Sequence, residues 1–127
     1  MTAQFVILHH VLDGGEHWDL MLEKDGMLAT WQLPLMLTGS ADLPMTARRI
    51  GDHRLDYLTY EGPISANRGR VTRVEKGWYE CLASSPGCWI IRLEGERLKL
   101  QLELRLIQGD EWSMRVTTNP SDSTNKG

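Results

Sequence analysis

A strict alternation of apolar and polar residues at 98–106 constrains the fold more than any other feature of the sequence. Five leucines alternate there with charged or amide side chains in the order LKLQLELRL. Because successive side chains on a β strand point to opposite faces, the alternation puts all five leucines on one face. The segment therefore predicts a strand of an antiparallel sheet whose leucine face belongs to the core.

The same period of two runs through much of the chain and is interrupted by turn residues at short intervals. The Asp-Gly pair at 25–26 predicts a turn, so 17–33 is expected to form a hairpin. The alternation fails between Pro34 and Arg49, which predicts a connecting loop with a helical turn at 43–49. Strands are predicted at 4–10, 17–24, 27–33, 54–60, 70–76, 78–82, 88–93 and 98–106. The pattern is typical of a mainly β fold, a small antiparallel β-barrel with about eight strands.

Length and composition predict a single domain. The 127 residues can bury a core without disulfides, so the two cysteines, Cys81 and Cys88, are expected to be reduced thiols. We predict one domain over 1–116 and a disordered tail over 117–127, where nothing apolar can be buried. The sequence has no transmembrane segment and no secretory signal, so we expect a cytoplasmic monomer without membrane contact.

The charge of the chain is distributed unevenly. A formal charge of −3 argues against a protein that coats nucleic acid by bulk attraction. The stretch 48–73 is locally basic, however, with six arginines against three acidic residues. Because the planar guanidinium matches phosphate oxygens, this stretch points to a phosphorylated substrate, and ordinary ion pairs on a solvated strand face are the alternative.

A candidate metal site is indicated by His17 and Asp19, which share one face of the predicted second strand. His9 and His10 end the first strand on opposite faces, so only one of them can join the pair. Two imidazoles and a carboxylate leave open positions on a six-coordinate divalent metal. The alternative is a set of exposed side chains at strand ends that bond only to one another.

A second polar cluster is indicated by His53 and Tyr57, which share a face if the chain is extended there. The alternative is a capping histidine beside a half-buried tyrosine. The tryptophans are interpreted as packing residues and not as stacking platforms, because most lie in apolar alternation. They are Trp18, Trp31, Trp78, Trp89 and Trp112.

Three segments carry a resemblance to a known family: FVILHHVLDGGEHWDLMLEKDGMLATWQLP, then DHRLDYLTYEGPI, then GRVTRVEKGWYE. In this order, over roughly 5–107, the chain resembles the 3′-phosphoesterase domain of bacterial DNA ligase D and its stand-alone relatives. The resemblance implies a β-barrel with a site for manganese or another divalent metal. It also implies removal of a 3′-phosphate or a 3′-ribonucleotide from DNA or RNA ends during DNA repair, beside a separate ligase or polymerase.

The resemblance also implies roles for particular residues. Its metal motif looks like His10, His17 and Asp19, and its later Asp-His-x-Leu-x-Tyr segment makes His53 and Tyr57 the catalytic residues at the phosphate. The spacing between the first two metal-binding histidines is one residue longer than usual. The first metal ligand is therefore either His10, with a bulged loop before His17, or His9.

The sequence departs from the family pattern at several positions. Met21 and Leu35 stand where the family has an arginine and a lysine, and Gly51 replaces an acidic residue. The loop at 64–69 is shortened. We predict that Arg49 or Arg68 supplies the missing positive charge toward the substrate phosphate.

Two other functions fit the same sequence. One is a catalytically inactive module of the same fold that binds nucleic-acid ends and has lost the chemistry with Met21 and Leu35. The other is a non-haem iron oxygenase on a cupin-like barrel, with His17, Asp19 and His53 as its facial triad. Phosphate release, end binding without turnover, and oxygen consumption distinguish the three.

Overall fold

The computed structural model describes residues 2–39 and 44–117, which form an almost entirely β structure. All strand pairings are antiparallel, as the alternation predicted. The described strands are β1 (Thr2–Leu12), β2 (Gly15–Lys24), β3 (Met27–Leu33), β4 (Met45–His53), β5 (Gly62–Pro63), β6 (Arg70–Ser85), β7 (Cys88–Gly95), β8 (Lys99–Gln108) and β9 (Glu111–Thr117). A single short 3₁₀ helix, Leu55–Leu58, follows β4 in the described ranges.

Eight of these strands form a closed ring of hydrogen-bonded neighbours. Their order is β1-β2-β3-β4-β9-β8-β7-β6, and β1 also pairs with β6, so the sheet returns on itself. The two residues of β5 pair with the start of β6. Each ring strand therefore has a partner on both sides, which leaves few backbone groups of the ring unpaired.

The main core lies inside the ring, because all eight ring strands contribute side chains to one buried cluster. Trp31, Trp89 and Trp112 meet there edge to face, with ring centroids 5.2 and 5.5 Å apart from that of Trp31. A smaller cluster on the outer side of β1 and β2 includes Leu8 and Met21 and is covered by the 3₁₀ helix. We call it the outer core, and it forms the floor on which the candidate site is built.

The predicted hairpin at 17–33 is confirmed as β2 and β3. Asp25 and Gly26 have φ values of 55° and 82°, which is the backbone that a tight two-residue hairpin turn requires. The leucine face at 98–106 is confirmed in its middle, where Leu102 and Leu104 are fully buried. It is wrong at Leu106, which is 39% exposed beside the turn that joins β6 and β7.

Several predicted elements are wrong. The helical turn expected at 43–49 is wrong, because from residue 45 onward the chain forms β4. Ala47 is the only fully buried side chain of β4, so this strand does not show the apolar alternation from which strands were predicted. The strand expected at 54–60 contains the 3₁₀ helix. The strand β9 was missed, and β6 is one strand where two were predicted around Gly77. A Cβ at Gly77 would lie 2.1 Å from the Glu94 carbonyl oxygen, so this glycine permits close approach of β7 and does not break the strand.

Other predictions concern single residues and the end of the chain. Cys81 and Cys88 are free thiols. Four of the five tryptophans pack in or against the main core, and the exception is Trp78, which is 52% exposed. Of the predicted tail, Thr117 belongs to β9 and 118–127 lie outside the described residues. No helix in the described parts of the chain has the length and apolar character needed to span a membrane.

Candidate metal centre

His10, His17 and Asp19 come together on the outer face of the hairpin formed by β1 and β2. His10 lies directly opposite His17 in the register, and Asp19 follows His17 by two residues and so shares its face. The two strands are joined by a two-residue turn at 13–14, and their register is regular throughout. The bulged loop expected with His10 is therefore wrong, because β1 and β2 keep one regular register up to a tight turn.

The potential ligand atoms of the three residues face one another. His17 Nε2 lies 3.1 Å from His10 Nδ1 and 3.2 Å from Asp19 Oδ1. His10 Nδ1 lies 3.8 Å from Asp19 Oδ2, and one ligand atom from each residue falls within 4.8 Å of the others. Two imidazole nitrogens and a carboxylate oxygen at such separations are a donor set that divalent metals accept.

A carbonyl group on a distant loop fixes the orientation of His10. His10 Nε2 lies 2.6 Å from the carbonyl oxygen of Arg68. Because a carbonyl oxygen only accepts, Nε2 must carry the hydrogen, and in the neutral ring Nδ1 keeps its lone pair toward His17 and Asp19. This arrangement is typical of metal-binding histidines, in which the second nitrogen donates to a backbone or carboxylate oxygen.

Gly69 makes this contact with Arg68 possible. Its φ is +87°, and a Cβ there would lie 2.1 Å from the Val11 carbonyl oxygen and 3.2 Å from His10 Nε2. Only glycine allows the loop to approach β1 so closely. The sequence Arg68-Gly69 therefore places the carbonyl group that holds His10.

Asp19 provides a test of whether a cation fits here. The residue is 3% exposed, and its Oδ1 atom accepts no hydrogen bond within the described residues, although His17 Nε2 is nearby. A buried carboxylate oxygen without a donor is costly unless a cation satisfies it. The residues present therefore fit a divalent metal.

His9 is not part of this cluster. Its ring stacks on Trp18 with centroids 4.8 Å apart, and its Nε2 atom lies 2.7 Å from Glu16 Oε1. It belongs to the opposite face of β1, so the geometry selects His10 as the partner of His17.

His53 and Tyr57 lie beside the outer core and contact each other at right angles, with ring centroids 5.5 Å apart. The contact arises because the 3₁₀ helix turns Tyr57 back toward β4, and not from an extended chain as expected. Thr30 Oγ1 donates to the Leu28 carbonyl and lies 3.0 Å from His53 Nδ1. Since the single hydroxyl hydrogen is already used, Nδ1 donates to Thr30, which leaves Nε2 of the neutral ring to accept a proton.

One cavity of about 140 Å³ connects these groups. We call it the site cavity. Its polar lining consists of His10, Asp19, His53, Tyr57 and Arg68, and its apolar walls belong to the outer core and the loop that follows β5.

The two candidate arginines occupy different places. Arg68 lines the site cavity, and its side chain is held by bonds from Nε to the Ser65 carbonyl at 3.0 Å and from Nη2 to Ser65 Oγ at 3.2 Å. Arg49 lies over the ring of Trp31 at 4.4 Å, on the inner side of the ring of strands, and does not line the site cavity.

Met21 and Leu35 show what replaces the family's basic residues. Met21 is buried in the outer core and forms part of the cavity wall. Leu35 is 64% exposed and lies away from the cavity lining. Thr30, which orients His53, was missed by sequence reasoning because a threonine in a strand carries no signal of that role.

The fold and the site together define a small antiparallel β protein with a two-histidine, one-aspartate cluster at the edge of a polar cavity. A family model described as the DNA ligase D 3′-phosphoesterase domain matches residues 8–115, which include every candidate site residue. The chain belongs to this family, and the resemblance seen in the sequence is confirmed.

Curated relatives come from mycobacteria. The chain is 32% identical over 113 residues to the multifunctional non-homologous end joining protein LigD of Mycobacterium bovis. It is equally similar to the multifunctional non-homologous end joining DNA repair protein LigD of Mycobacterium tuberculosis. These matches cover 84% of this chain and 15% of each relative, so the chain corresponds to a small part of those proteins.

The iron triad considered from the sequence is not assembled. In the described ranges, the imidazole that joins His17 and Asp19 is that of His10, and His53 is bonded to Thr30 instead.

Proposed function

We propose that this protein is a manganese-dependent 3′-phosphoesterase that removes a 3′-phosphate or a 3′-terminal ribonucleotide from DNA or RNA ends during DNA repair. The observation that carries the proposal is the site cavity, which joins the metal-ligand cluster to His53, Tyr57 and Arg68. Family membership and the repair function in the names of the mycobacterial relatives support it.

His10 Nδ1, His17 Nε2 and the Asp19 carboxylate would hold the metal. When bound, a divalent ion there supplies Lewis-acid polarisation of a phosphate oxygen and a template for the substrate. The cluster contains no thiolate, its carboxylate suits manganese, and its two imidazoles also accept other first-row divalent metals.

Arg68 is the cation that this chain offers to the substrate phosphate. Two of its nitrogen atoms bond to Ser65, which holds the guanidinium on the loop that borders the cavity and leaves further donors of the five for phosphate oxygens. Because Met21 provides no charge, Arg68 takes the phosphate-binding role of the arginine that the family has there.

His53 is the proton carrier in the proposed reaction. Its Nδ1–H bond to Thr30 fixes the ring, so Nε2 exchanges the proton. As the bond between phosphorus and the 3′-oxygen breaks, protonated His53 gives its proton to the leaving oxygen and water supplies the hydroxyl that phosphorus gains. The remaining proton of that water returns to Nε2 and restores protonated His53. Tyr57 donates a hydrogen bond to the negative charge that develops on the phosphate.

The test is release of phosphate from a 3′-phosphorylated primer-template with manganese added. We expect Asp19→Asn to lower the rate at least about a hundredfold, because it removes a charged ligand but keeps the side-chain shape. Asp110→Asn, which alters an exposed ion pair with Arg48, is the matched control and should keep the wild-type rate. Equal rates in Asp19→Asn and the wild type would overturn the proposal.

The inactive end-binding module is a second candidate, and the burial of Met21 at the usual arginine position favours it. Manganese binding and tight binding of 3′-phosphorylated ends, without any phosphate release, would establish this alternative.

A further inference from the structure

A second and larger cavity, of about 400 Å³, adjoins the site cavity along β1 and β6. The 3₁₀ helix lies between the two, because Tyr57 lines the site cavity and Leu58 lines the larger one. Val6 of β1 borders the larger cavity, and Leu8 and His10 of the same strand border the site cavity. Side chains at alternate positions share a face, so the two cavities follow one side of β1, with residues 6 and 10 about 13 Å apart.

The larger cavity contains an exposed aromatic side chain that packing does not explain. Trp78 is 52% exposed, in contrast to the other four tryptophans, which pack in or against the main core. An indole face open to solvent is a surface on which a nucleic-acid base can stack.

Two cations stand between Trp78 and the site cavity. Arg73 donates from Nη1 to the Leu58 carbonyl at 2.8 Å, which holds its guanidinium against the 3₁₀ helix and leaves other donors for a ligand. Lys76 lies 3.8 Å from Glu96 in a pair that is exposed on both sides. Such a pair contributes little stability, so Lys76 can exchange this partner for a phosphate.

The charges of the larger cavity also orient a ligand. Glu94 and Glu96 line the same cavity and would repel phosphates. A phosphate backbone would therefore lie beside Arg73 and Lys76, where a phosphate would displace Glu96 from Lys76, and the neutral bases would face Trp78.

We propose that the larger cavity binds the nucleotides that precede the 3′ end held in the site cavity, with Trp78 stacking on a base and Arg73 and Lys76 contacting the backbone. This inference rests on the proposed function for the identity of the strand end. It deepens that function by assigning residues to the strand that precedes the end, and it makes an oligonucleotide the preferred ligand over a nucleoside 3′-phosphate.

The test uses the full chain without added metal and three probes. They are a single-stranded DNA of about eight nucleotides with a 3′-phosphate, the same DNA with a 3′-hydroxyl, and a nucleoside 3′-phosphate. We expect Trp78→Ala to weaken binding of both oligonucleotides about tenfold and to leave binding of the nucleoside 3′-phosphate unchanged. Trp78→Phe should retain most of the affinity, because it keeps an aromatic face.

Matched variants separate the proposed contacts from a general surface effect. Ile107→Ala removes a side chain that is similarly exposed, at 54%, outside both cavities, and should leave all affinities unchanged. Lys76→Gln should reduce the slope of log affinity against log salt concentration by about 0.7, and Arg115→Gln should not change it. Unchanged melting temperatures would show that the variants fold.

The probes distinguish failure of this inference from failure of the proposed function. Equal oligonucleotide binding by Trp78→Ala and the wild type would overturn the inference alone. If the 3′-phosphate adds nothing to affinity but Trp78→Ala still weakens both oligonucleotides, the strand path stands and the proposed contact of Arg68 with the 3′-phosphate is overturned. Absence of binding by either oligonucleotide would overturn the strand path.

Discussion

At the scale of single residues, the candidate centre depends on how His10 is held. The bond from Nε2 to the Arg68 carbonyl spans 58 positions of sequence and sets which nitrogen faces His17 and Asp19. A side chain and a backbone group from opposite parts of the chain thus determine one ligand together.

Gly69→Ala tests this dependence. The new Cβ would lie 2.1 Å from backbone at a φ of +87°, so the loop must retreat from β1 and the His10 bond must lengthen. We expect manganese affinity to fall about 10- to 100-fold, as is usual when a group that orients a metal ligand is lost.

Gly14→Ala is the control, since a Cβ there meets nothing within 4 Å. Calorimetric titration with manganese gives the affinities, and ¹⁵N shifts of the His10 ring report its tautomer. Wild-type affinity and an unchanged tautomer in Gly69→Ala would contradict the account.

The sequence predicts part of this site and leaves part undetermined. The pairing of His17 with Asp19 follows from spacing, because positions two apart on a strand always share a face. The choice between His9 and His10 depends on hairpin register, which a turn of unknown length leaves open. The contacts of Arg68 and Thr30 depend on tertiary packing and leave no local pattern.

At the scale of elements, the connection from β7 to β8 is organised by a carboxylate of β6. Glu75 is 3% exposed, and its two oxygens accept backbone N–H bonds from Lys76, Glu96, Arg97 and Leu98. Burial raises the pKa of Glu75, but these four backbone donors outweigh burial and the pKa is lowered. The Glu75 carboxylate thus accepts hydrogen bonds from backbone N–H groups of the β7–β8 turn.

Glu75→Gln should destabilise the protein at neutral pH by about 1–3 kcal/mol, because an amide group would set N–H donors against backbone N–H donors. The folded pKa of Glu75 lies below its unfolded value, so its stabilisation is present above the unfolded pKa and disappears as pH falls through the folded pKa.

Urea unfolding across that acidic range measures both effects. The gap in unfolding free energy between the wild type and Glu75→Gln should narrow as pH falls. Glu94→Gln, an exposed change in the neighbouring strand, should track the wild type. A gap that does not depend on pH would show that the charge of Glu75 is not what holds the turn.

β4 and the 3₁₀ helix could not be predicted from the sequence because neither has a fully buried apolar face. β4 has one fully buried side chain and is held by β3 and β9 on either side, so pairing and not apolar alternation makes it a strand. The 3₁₀ helix buries no residue completely, and its residues Tyr57 and Leu58 pack against the outer core. By contrast, the hairpin at 17–33 carries its own turn signal and could be predicted.

At the scale of the whole molecule, the ring of strands separates stability from function. The main core fills the ring, and the candidate site lies outside it on the outer core, where β1 and β2 are apolar on both faces. The chain can therefore vary its site, as at Met21, without rebuilding the main core.

Metal binding should stabilise the whole fold, because the three ligands converge only when β1 and β2 are paired. At a free manganese concentration about 100 times the Kd, the unfolding free energy should rise by about 2.7 kcal/mol. Thermal unfolding with and without manganese measures this gain.

His17→Gln should lose the gain in stability on adding manganese. His9→Gln, on the opposite face of the hairpin, should keep it. If the gain in stability survives in His17→Gln but is lost in His9→Gln, the assignment of His17 as a metal ligand is wrong.

The most direct test of the central claim is the distance between a bound metal and the substrate phosphate. Paramagnetic manganese bound at His10, His17 and Asp19 should strongly broaden the ³¹P signal of a 3′-phosphorylated oligonucleotide, and Asp19→Asn should abolish the broadening. A ³¹P signal that stays sharp while manganese and oligonucleotide are both bound would contradict a 3′-phosphate site at this centre.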